Sequence, residues 1–279
     1  MKNIFIYNKK DSQSEKLAAE LSQKLSAAGF NVQKSFFARK KFGMLNPGVT
    51  EINETEMTIV VGGDGAFLKA VHATNFSSKP ILGINNGHLG FFSEFESSEL
   101  DKVVDVCKSE NFTIQKHRII NVELDGEHGP VVLSPALNDV AVKKSGGSLI
   151  HLNVLIGDKL IEKFSGDGIL ISSSAGSTAY NYSLGGSIVD PALDLLQVTP
   201  MAPANNTAYR SFTSSLLLPS TEKIVITAGD AAGSSIIIDG EEHVVLDFKK
   251  ISISLSTDEI QIVRLPGYSF WNKVTSKFL

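Results

Sequence analysis

Residues Met57–Leu68 have the sequence MTIVVGGDGAFL, and the fold class can be predicted from them. Its first five residues, Met57–Val61, form a compact apolar run that predicts a buried strand. From Phe67 onward the apolar residues fall at helical spacing, and the turn between the two runs is Gly62–Gly65. A strand, a glycine turn and a helix in this order are typical of a parallel sheet that carries helices on its faces.

The neighbouring segments repeat this alternation of strand and helix. Further short strands are predicted at Ile4–Tyr7, Phe30–Phe37 and Pro80–Ile84, and apolar residues spaced by four predict a helix around Leu17–Leu25. The polar stretch 38–56 is expected to be a loop. Residues 1–100 are therefore predicted to form an α/β domain with a Rossmann-like parallel sheet.

Beyond about residue 110 the chain changes to short apolar or alternating runs separated by turn residues such as Asp125-Gly126 and Asp239-Gly240. This pattern is typical of packed antiparallel sheets, so residues 101–265 are predicted to form a β-rich domain, a β-sandwich. One helix is expected within Thr178–Gln197. The closing segment 266–279 mixes aromatic and basic residues and is expected to pack back on the first domain.

Composition excludes several classes of protein. The chain has 279 residues, 42% of them hydrophobic, which excludes a disordered protein. Its formal net charge of −4 provides no basic field for a nucleic acid. No apolar run is long enough for a signal peptide or a membrane span, and Cys107 is the one cysteine, so no intrachain disulfide forms. We expect a cytoplasmic protein that binds neither nucleic acid nor membrane.

The glycine turn is suited to an anion, because glycines allow close approach and helix N-terminal amides face outward. It lacks the lysine of the P-loop and the third glycine of the dinucleotide fingerprint, where Leu68 stands instead. Asp64 in its middle has two interpretations. It is the proton acceptor for a substrate hydroxyl while glycine amides and Mg²⁺ hold a phosphoryl group, or it caps the helix.

A second set of small polar residues brackets the predicted strand Ile169–Ser172. Ser165–Gly168 precedes that strand, Gly176–Ser183 follows it, and Asn138-Asp139 ends another apolar run. Hydroxyls, amides and a tyrosine ring suit a ligand with ribose, base and phosphate. The alternative is that these residues simply form turns.

Taken together, these motifs closely resemble the bacterial NAD kinase family, and the resemblance spans nearly the whole chain. The ordered set is Gly62-Gly63-Asp64-Gly65, Asn86–Phe91, Leu137-Asn138-Asp139, Gly166-Asp167-Gly168 and Gly176–Asn181. Asn205-Asn206, Tyr209-Arg210 and Pro266–Trp271 are similar to its Gram-positive branch. The resemblance implies phosphorylation of the adenosine 2′-hydroxyl of NAD, with ATP as donor and a divalent metal, Mg²⁺, giving NADP.

The resemblance also implies roles for individual residues. Asp64 would accept the proton, main-chain amides of Gly62, Gly63 and Gly65 would hold phosphates, and Phe67 would pack near the nucleotide. Lys69 is either a phosphate contact or a solvated helix lysine. The remaining residues implied in NAD binding are Asn138, Asp139, Asp167, Thr178, Ala179, Tyr180, Asn181, Ser183 and Ala202. No residue is assigned to a resident metal, since no two histidines stand at helical metal-ligand spacing.

The chain departs from the family pattern at three places. Ala66 stands where threonine is usual, Ser174-Ala175 where proline-threonine is common, and Ser165 where a basic residue often occurs. Two further candidates, His88 in the turn motif and Arg39–Lys41 as an attraction for ATP phosphates, each have a structural alternative.

The family forms homodimers and homotetramers in which neighbouring subunits complete the NAD pocket, a role open to Tyr209 or Asp167. Two other functions remain open. One is a lipid kinase that shares the phosphate turn, and the other is a catalytically silent NAD-binding sensor.

Overall fold

A computed structural model describes residues 1–36, 54–87, 90–126, 129–144, 148–205, 207, 210–228, 234–244 and 248–279. The chain divides into two compact units. Unit 1 comprises Met1–Lys116 and Glu259–Leu279, and unit 2 comprises His117–Asp258. No helix in the described ranges has the length and apolar character that a membrane crossing needs.

The strands and helices follow one another along the chain, with β6 and β17 each contributing residues to both units. In order they are β1 Asn3–Asn8, α1 Ser12–Ala27, β2 Asn31–Phe36, β3 Met57–Val61, α2 Asp64–Ala73, β4 Ile81–Asn85, β5 Ser93–Glu96, α3 Leu100–Ser109, β6 Thr113–Gly126, β7 Gly129–Val132, β8 Asp139–Lys144, β9 Ile150–Ile156, β10 Lys159–Gly166, β11 Gly168–Ser173, α4 Tyr180–Ser183, β12 Leu195–Met201, β13 Leu216–Pro219, β14 Lys223–Ala228, β15 Ser234–Ile238, β16 Glu241–Val244, β17 Lys250–Arg264 and α5 Phe270–Phe278.

Unit 1 is built on a parallel sheet in the order β2-β1-β3-β4, with β5 and the end of β17 also pairing with β4 in parallel. The central strands are buried on both faces, as expected of a parallel sheet covered by helices. Helix α1 contributes Leu21 and Leu25 to this core, and α3 contributes Val103 and Cys107. Burial raises the pKa of the Cys107 thiol to about 12, so this cysteine is a packing residue. The predicted α/β class is confirmed.

Unit 2 is a sandwich of antiparallel sheets. One sheet runs β13-β12-β11-β8-β15-β16, and the other contains β10-β9-β14-β17. Alternate residues of the two sheets form a single core, with Val140 and Ile171 from the first and Leu152 and Ile226 from the second. The outer face of the first sheet carries a smaller cluster that includes Leu170 and is packed against by Leu184, which follows α4. The prediction of a β-rich sandwich is confirmed.

The helix expected within Thr178–Gln197 is wrong in extent. The structure has a 3₁₀ turn at Ala175–Thr178 and the single-turn helix α4, and the chain then runs irregularly to β12. Gly185 adopts a positive φ of 81°, and Gly186 and Pro191 follow it, so helical geometry cannot continue.

Candidate active site

The glycine turn of unit 1 lies where parallel strands end. Asn8 pairs with Val61 and Val61 with Ile84, so β1, β3 and β4 end at the same edge of the sheet. The carboxyl ends of parallel strands are where open α/β sheets bind ligands. The turn thus occupies the position in unit 1 that suits a ligand best.

The geometry of the turn depends on its glycines. Gly62 has φ +152°, and a Cβ there would stand 2.5 Å from the Cβ of Ala66. A Cβ at Gly63 or Gly65 would meet nothing within 4 Å, so the turn is open on that side. Helix α2 starts here. The amides of Ala66 and Phe67 donate to the main-chain oxygen of Gly63, and the amides before them have no acceptor within the helix. Together they form a surface that an anion can approach.

Asp64 does not cap the helix. The N-cap is Gly63, and no side chain makes a capping hydrogen bond there, so the capping interpretation is wrong. Its carboxylate instead accepts two hydrogen bonds from the next loop, at 2.9 Å from the amide of Phe91 and 3.1 Å from that of Phe92. A Cβ at Gly90 would overlap the Asp64 carboxylate. The carboxylate therefore has a fixed orientation and remains 27% exposed.

Helix α5 also contacts the loop that contains Phe91 and Phe92. The Lys273 ammonium donates to the main-chain oxygens of Phe91 and Ser93 and pairs with Glu94 at 3.0 Å. Burial lowers the pKa of Lys273 from its ordinary value. Glu94 also pairs with Arg264 at 2.8 Å, and both side chains are only 4% exposed. The loop that orients Asp64 thus rests on a buried ionic network.

A second lysine of α5 reaches the carboxylate itself. The Lys277 ammonium lies 3.5 Å from Oδ2 of Asp64 and is 37% exposed. It also lies 4.8 Å from the centroid of the Phe91 ring, a cation–π distance. Asp64 is therefore surrounded by two main-chain donors and one cation.

Phe67 and Lys69 occupy different sides of α2. The Phe67 ring is 1% exposed and stacks on Phe92 at 4.8 Å, so it supports the loop from beneath. Lys69 is exposed. It follows Asp64 by five residues, which at about 100° per residue places it roughly 140° around the helix axis.

The polar pair of unit 2 stands at the start of β8. Its backbone is held by the carboxylate of Asp239, which accepts from the amides of Leu137, Asn138 and Asp139 at 2.8, 2.7 and 3.2 Å. Burial, and secondly the neighbouring Asp239 charge, raise the pKa of Asp139 to about 7. Oδ1 of Asn138 is buried and has no hydrogen-bond partner among the described residues. Such a polar pair is what a ribose diol requires.

The chain after β11 closes over this pair. The Ser173 amide donates to the main-chain oxygen of Asn138 at 2.9 Å, and a Cβ at Gly176 would overlap that oxygen. Asn181 is fully buried, bonding the main-chain oxygens of Ser177 and Ser187 and accepting from Thr199 at 2.6 Å. Asn181 therefore acts as a scaffold for α4. The candidate residues nearer the surface are Thr178 and Ala179, which are partly exposed, and Tyr180 and Ser183, which are exposed.

Asp167 and Ala202 stand at the other end of β11. The Asp167 amide donates to Met201 at 3.0 Å, and both Asp167 and Ala202 are exposed. Ala202 adopts a positive φ of 41°. Strand β11 is six residues long, so about 17 Å separates its ends at roughly 3.3 Å per residue. The second unit thus brings together Asn138, Asp139 and the segment Gly176–Ser183, but not Asp167 or Ala202.

Both units match models of known families. The description "ATP-NAD kinase N-terminal domain" matches residues 4–111, and "ATP-NAD kinase C-terminal domain" matches residues 137–265. The chain belongs to the NAD kinase family. An NAD kinase of Finegoldia magna is 34% identical over 284 residues, covering 100% of this chain and 98% of the relative. NAD kinase 2 of Bacillus subtilis is 32% identical, with the same coverage.

Solved structures share the fold of this NAD kinase family member. Yeast NADH kinase, solved in complex with NADH, has a TM-score of 0.85 at 23% identity and covers 100% of this chain and 87% of its own. An NAD kinase of Archaeoglobus fulgidus, solved in complex with ATP, has a TM-score of 0.73 at 20% identity, covering 99% and 98%.

The three departures from the NAD kinase pattern have structural explanations in part. Ser165 is buried, with its amide donating to Ser211 at 3.0 Å and its hydroxyl 2.8 Å from Nδ1 of His151, so it belongs to the scaffold. The Ser174 hydroxyl donates to the main-chain oxygen of Leu193. Ala66 is buried, 7% exposed, beside Gly62.

Several candidates fall outside the described residues. They are His88, Arg39–Lys41, Asn206 and Tyr209.

Asp239 and Lys277 contact the candidate residues but were not predicted from the sequence. Asp239 precedes Gly240 and reads as an ordinary turn residue, and no spacing rule links a residue of the C-terminal segment to the glycine turn.

No group of three or more His, Cys, Asp or Glu side chains able to hold a metal ion occurs in the part of the chain that the structure describes.

Proposed function

We propose that this protein is an NAD kinase that transfers the γ-phosphoryl group of ATP to the adenosine 2′-hydroxyl of NAD. Membership of the family and the arrangement at Asp64 support this proposal together. The single observation that carries it is a carboxylate fixed by two main-chain amides at a glycine turn whose geometry is suited to an anion. A carboxylate held beside such a turn supports Asp64 as the acceptor of a hydroxyl proton during phosphoryl transfer.

The reaction is an in-line displacement at phosphorus. The ribose oxygen bonds to the γ-phosphorus, and the bond to the oxygen bridging the β-phosphate breaks, so its electron pair leaves with ADP. The hydroxyl proton passes to the carboxylate of Asp64. A carboxylate oxygen has two lone pairs, so each oxygen can accept a main-chain N–H and still face the hydroxyl.

The phosphates of ATP are assigned to the open side of the turn, at the amides of Gly63 and Gly65 and at the start of α2. Mg²⁺ enters with ATP as part of the substrate, because it prefers substrate phosphates and few carboxylates to an all-protein cage. Lys69 stands on another face of α2, and Phe67 supports the loop from beneath.

NAD is assigned to unit 2. Asn138 and Asp139 are proposed to hold a ribose, since the buried Oδ1 of Asn138 needs a donor and a diol supplies one. Thr178, Ala179, Tyr180 and Ser183 are proposed to line the base pockets. The Tyr180 ring is 47% exposed and offers a stacking face.

Asp167 and Ala202 are proposed to serve the NAD pocket of a neighbouring subunit. They stand about 17 Å along β11 from the Asn138 end. Ser165, two residues before Asp167, lines an open cavity of about 690 Å³ together with Glu162 and Arg210. The protein is further proposed to form a homodimer or homotetramer and to act in the cytoplasm.

The test incubates the protein with ATP, Mg²⁺ and NAD and measures NADP with a dehydrogenase specific for it. NADP formation that requires all three reagents is the expected result. Tight NAD binding without NADP would replace the proposal with an NAD-binding sensor. Phosphorylation of diacylglycerol vesicles in place of NAD would replace it with a lipid kinase, which the polar pair Asn138 and Asp139 disfavours.

A further inference from the structure

The C-terminal helix brings a positive charge to the phosphate turn. Lys277 is the partner of Asp64 at 3.5 Å, and it remains partly exposed. Asp64 and a bound phosphate are both negative, so they repel each other at short range near a protein surface. A cation beside both would offset this repulsion.

We propose that Lys277 binds the phosphates of ATP and neutralises the phosphoryl group while Asp64 receives the proton. This inference rests on the proposed function and deepens it. An ammonium group has three donors. Lys277 contacts Asp64 as an ion pair at 3.5 Å, and its donors can reach phosphate oxygens beside that carboxylate.

The contacts of helix α5 with the loop at Phe91 fix the position of Lys277. Phe91, whose amide orients Asp64, has its ring 6.2 Å from that of Phe270 and 5.9 Å from that of Phe278. Lys273, one turn before Lys277, anchors the same face of α5 to the loop through Glu94. The ammonium of Lys277 is thereby held over Phe91 and close to the carboxylate.

Two other lysines near the turn, Lys273 and Lys69, are less suited. Lys273 is 14% exposed and already bonds two main-chain oxygens and Glu94. Lys69 lies about 140° around α2 from Asp64. Among the described lysines, Lys277 is the one for which the structure records an ion pair with Asp64.

The primary test is a direct titration of Mg-ATP into the wild-type protein and the variants Lys277→Met and Lys277→Arg, without NAD. The methionine keeps the length and removes the charge, and the arginine restores the charge. Lys16→Met, an exposed lysine of α1, is the matched control for a lost surface charge. We expect the Kd for Mg-ATP to rise about 10-fold in Lys277→Met, to recover in part in Lys277→Arg and to stay unchanged in the control.

Turnover and NAD affinity supply the second readout. We expect kcat to fall about 10- to 100-fold in Lys277→Met, with the Kd for NAD and the unfolding midpoint close to wild type. A merely structural lysine would instead lower the unfolding midpoint, and arginine would be no better than methionine.

Mg-ATP binding by the two Lys277 variants decides the inference. The inference stands only if Lys277→Met binds Mg-ATP at least about fivefold more weakly than wild type and Lys277→Arg binds it more tightly than Lys277→Met. Any other pattern overturns it. If the wild type forms no NADP but this pattern holds, the proposed function fails and the phosphate contact of Lys277 remains.

Discussion

Each unit contains an aspartate of interest, and the two aspartates differ in burial and in the charge of their neighbours. Asp64 of unit 1 meets two main-chain donors and a lysine. Asp139 of unit 2 is buried beside a second carboxylate, and its pKa is raised to about 7. The same side chain thus becomes an oriented acceptor in one place and a proton-holding group in the other, because neighbours and burial determine its chemistry.

The largest effect is expected from Asp64→Asn. The amide cannot take up the hydroxyl proton, and its NH₂ group faces a main-chain donor, so kcat should fall about 1,000-fold or more. The assay is NADP formation at saturating ATP and NAD. The Kd for NAD, measured by titration, should stay within about twofold, since NAD is assigned to unit 2. Near-native turnover would remove Asp64 from the role of proton acceptor.

Gly90→Ala should displace the same carboxylate without changing its chemistry. The added Cβ overlaps Asp64, so the carboxylate must leave the amides of Phe91 and Phe92. We expect kcat to fall about 100-fold, because small displacements of a reacting group are costly. In an Asp64→Ala background the same glycine change should cost little more, since no carboxylate remains to be displaced. Equal losses in both backgrounds would contradict this explanation.

Asp139→Asn should change how the free energy of unfolding depends on pH. The folded state keeps the Asp139 proton up to about pH 7, whereas the unfolded chain releases it near the ordinary value of 3.8. The unfolding free energy therefore falls as pH rises from about 4 to about 7, with a slope of up to ~1.4 kcal/mol per pH unit from this group. Asp139→Asn should lack this slope, and Asp105→Asn, at an exposed position of α3, should retain it. Denaturant unfolding across this pH range measures both.

Ligand binding should reverse the effect of burial on Asp139. A ribose diol donates hydrogen bonds that favour the carboxylate, so NAD binding should release a proton below about pH 7. NAD affinity in the wild type should then rise by up to about 10-fold per pH unit toward pH 7. Calorimetry in buffers of different ionisation enthalpy measures the proton. An absence of proton release at pH 6 would place the diol elsewhere.

The smallest effect is expected from Thr199→Val. It removes the buried hydrogen bond from Thr199 to Asn181 and leaves the volume nearly unchanged. We expect the free energy of unfolding to fall by about 1–2 kcal/mol and NAD affinity to fall a few-fold, because Asn181 holds α4. Turnover at saturating NAD should be unaffected. A large loss of kcat would mean that this scaffold reaches the reaction centre directly.

Much of unit 1 could be predicted from its sequence because local signals agreed there. The run Met57–Val61, its glycine turn and the following helical spacing predicted a strand, a turn and a helix in that order. The structure has the strand as β3 and the helix as α2. The antiparallel character of unit 2 was readable from the alternation of its short runs. In the segment Thr178–Gln197 a helix was expected, but Gly185, Gly186 and Pro191 limit helical structure there to the single turn α4.

The contacts around the two aspartates were not predictable in the same way. The orientation of the Asp64 carboxylate depends on the amides of Phe91 and Phe92 and on Lys277. Main-chain donors cannot be recognised from residue types, because every residue except proline has one. Asp239 is a similar case, because it holds the start of β8 from a distant turn. Spacing rules describe neighbours within one element, whereas these contacts join elements far apart in the chain.

The discontinuity of unit 1 has a consequence for biosynthesis. The loop carrying Phe91 and Glu94 is held by Arg264 and α5, which the ribosome makes only after every residue of unit 2. During translation the glycine turn emerges early, but the helix that bears Lys277 does not yet exist. The surroundings of Asp64 are therefore completed last, once every residue of unit 2 has been produced.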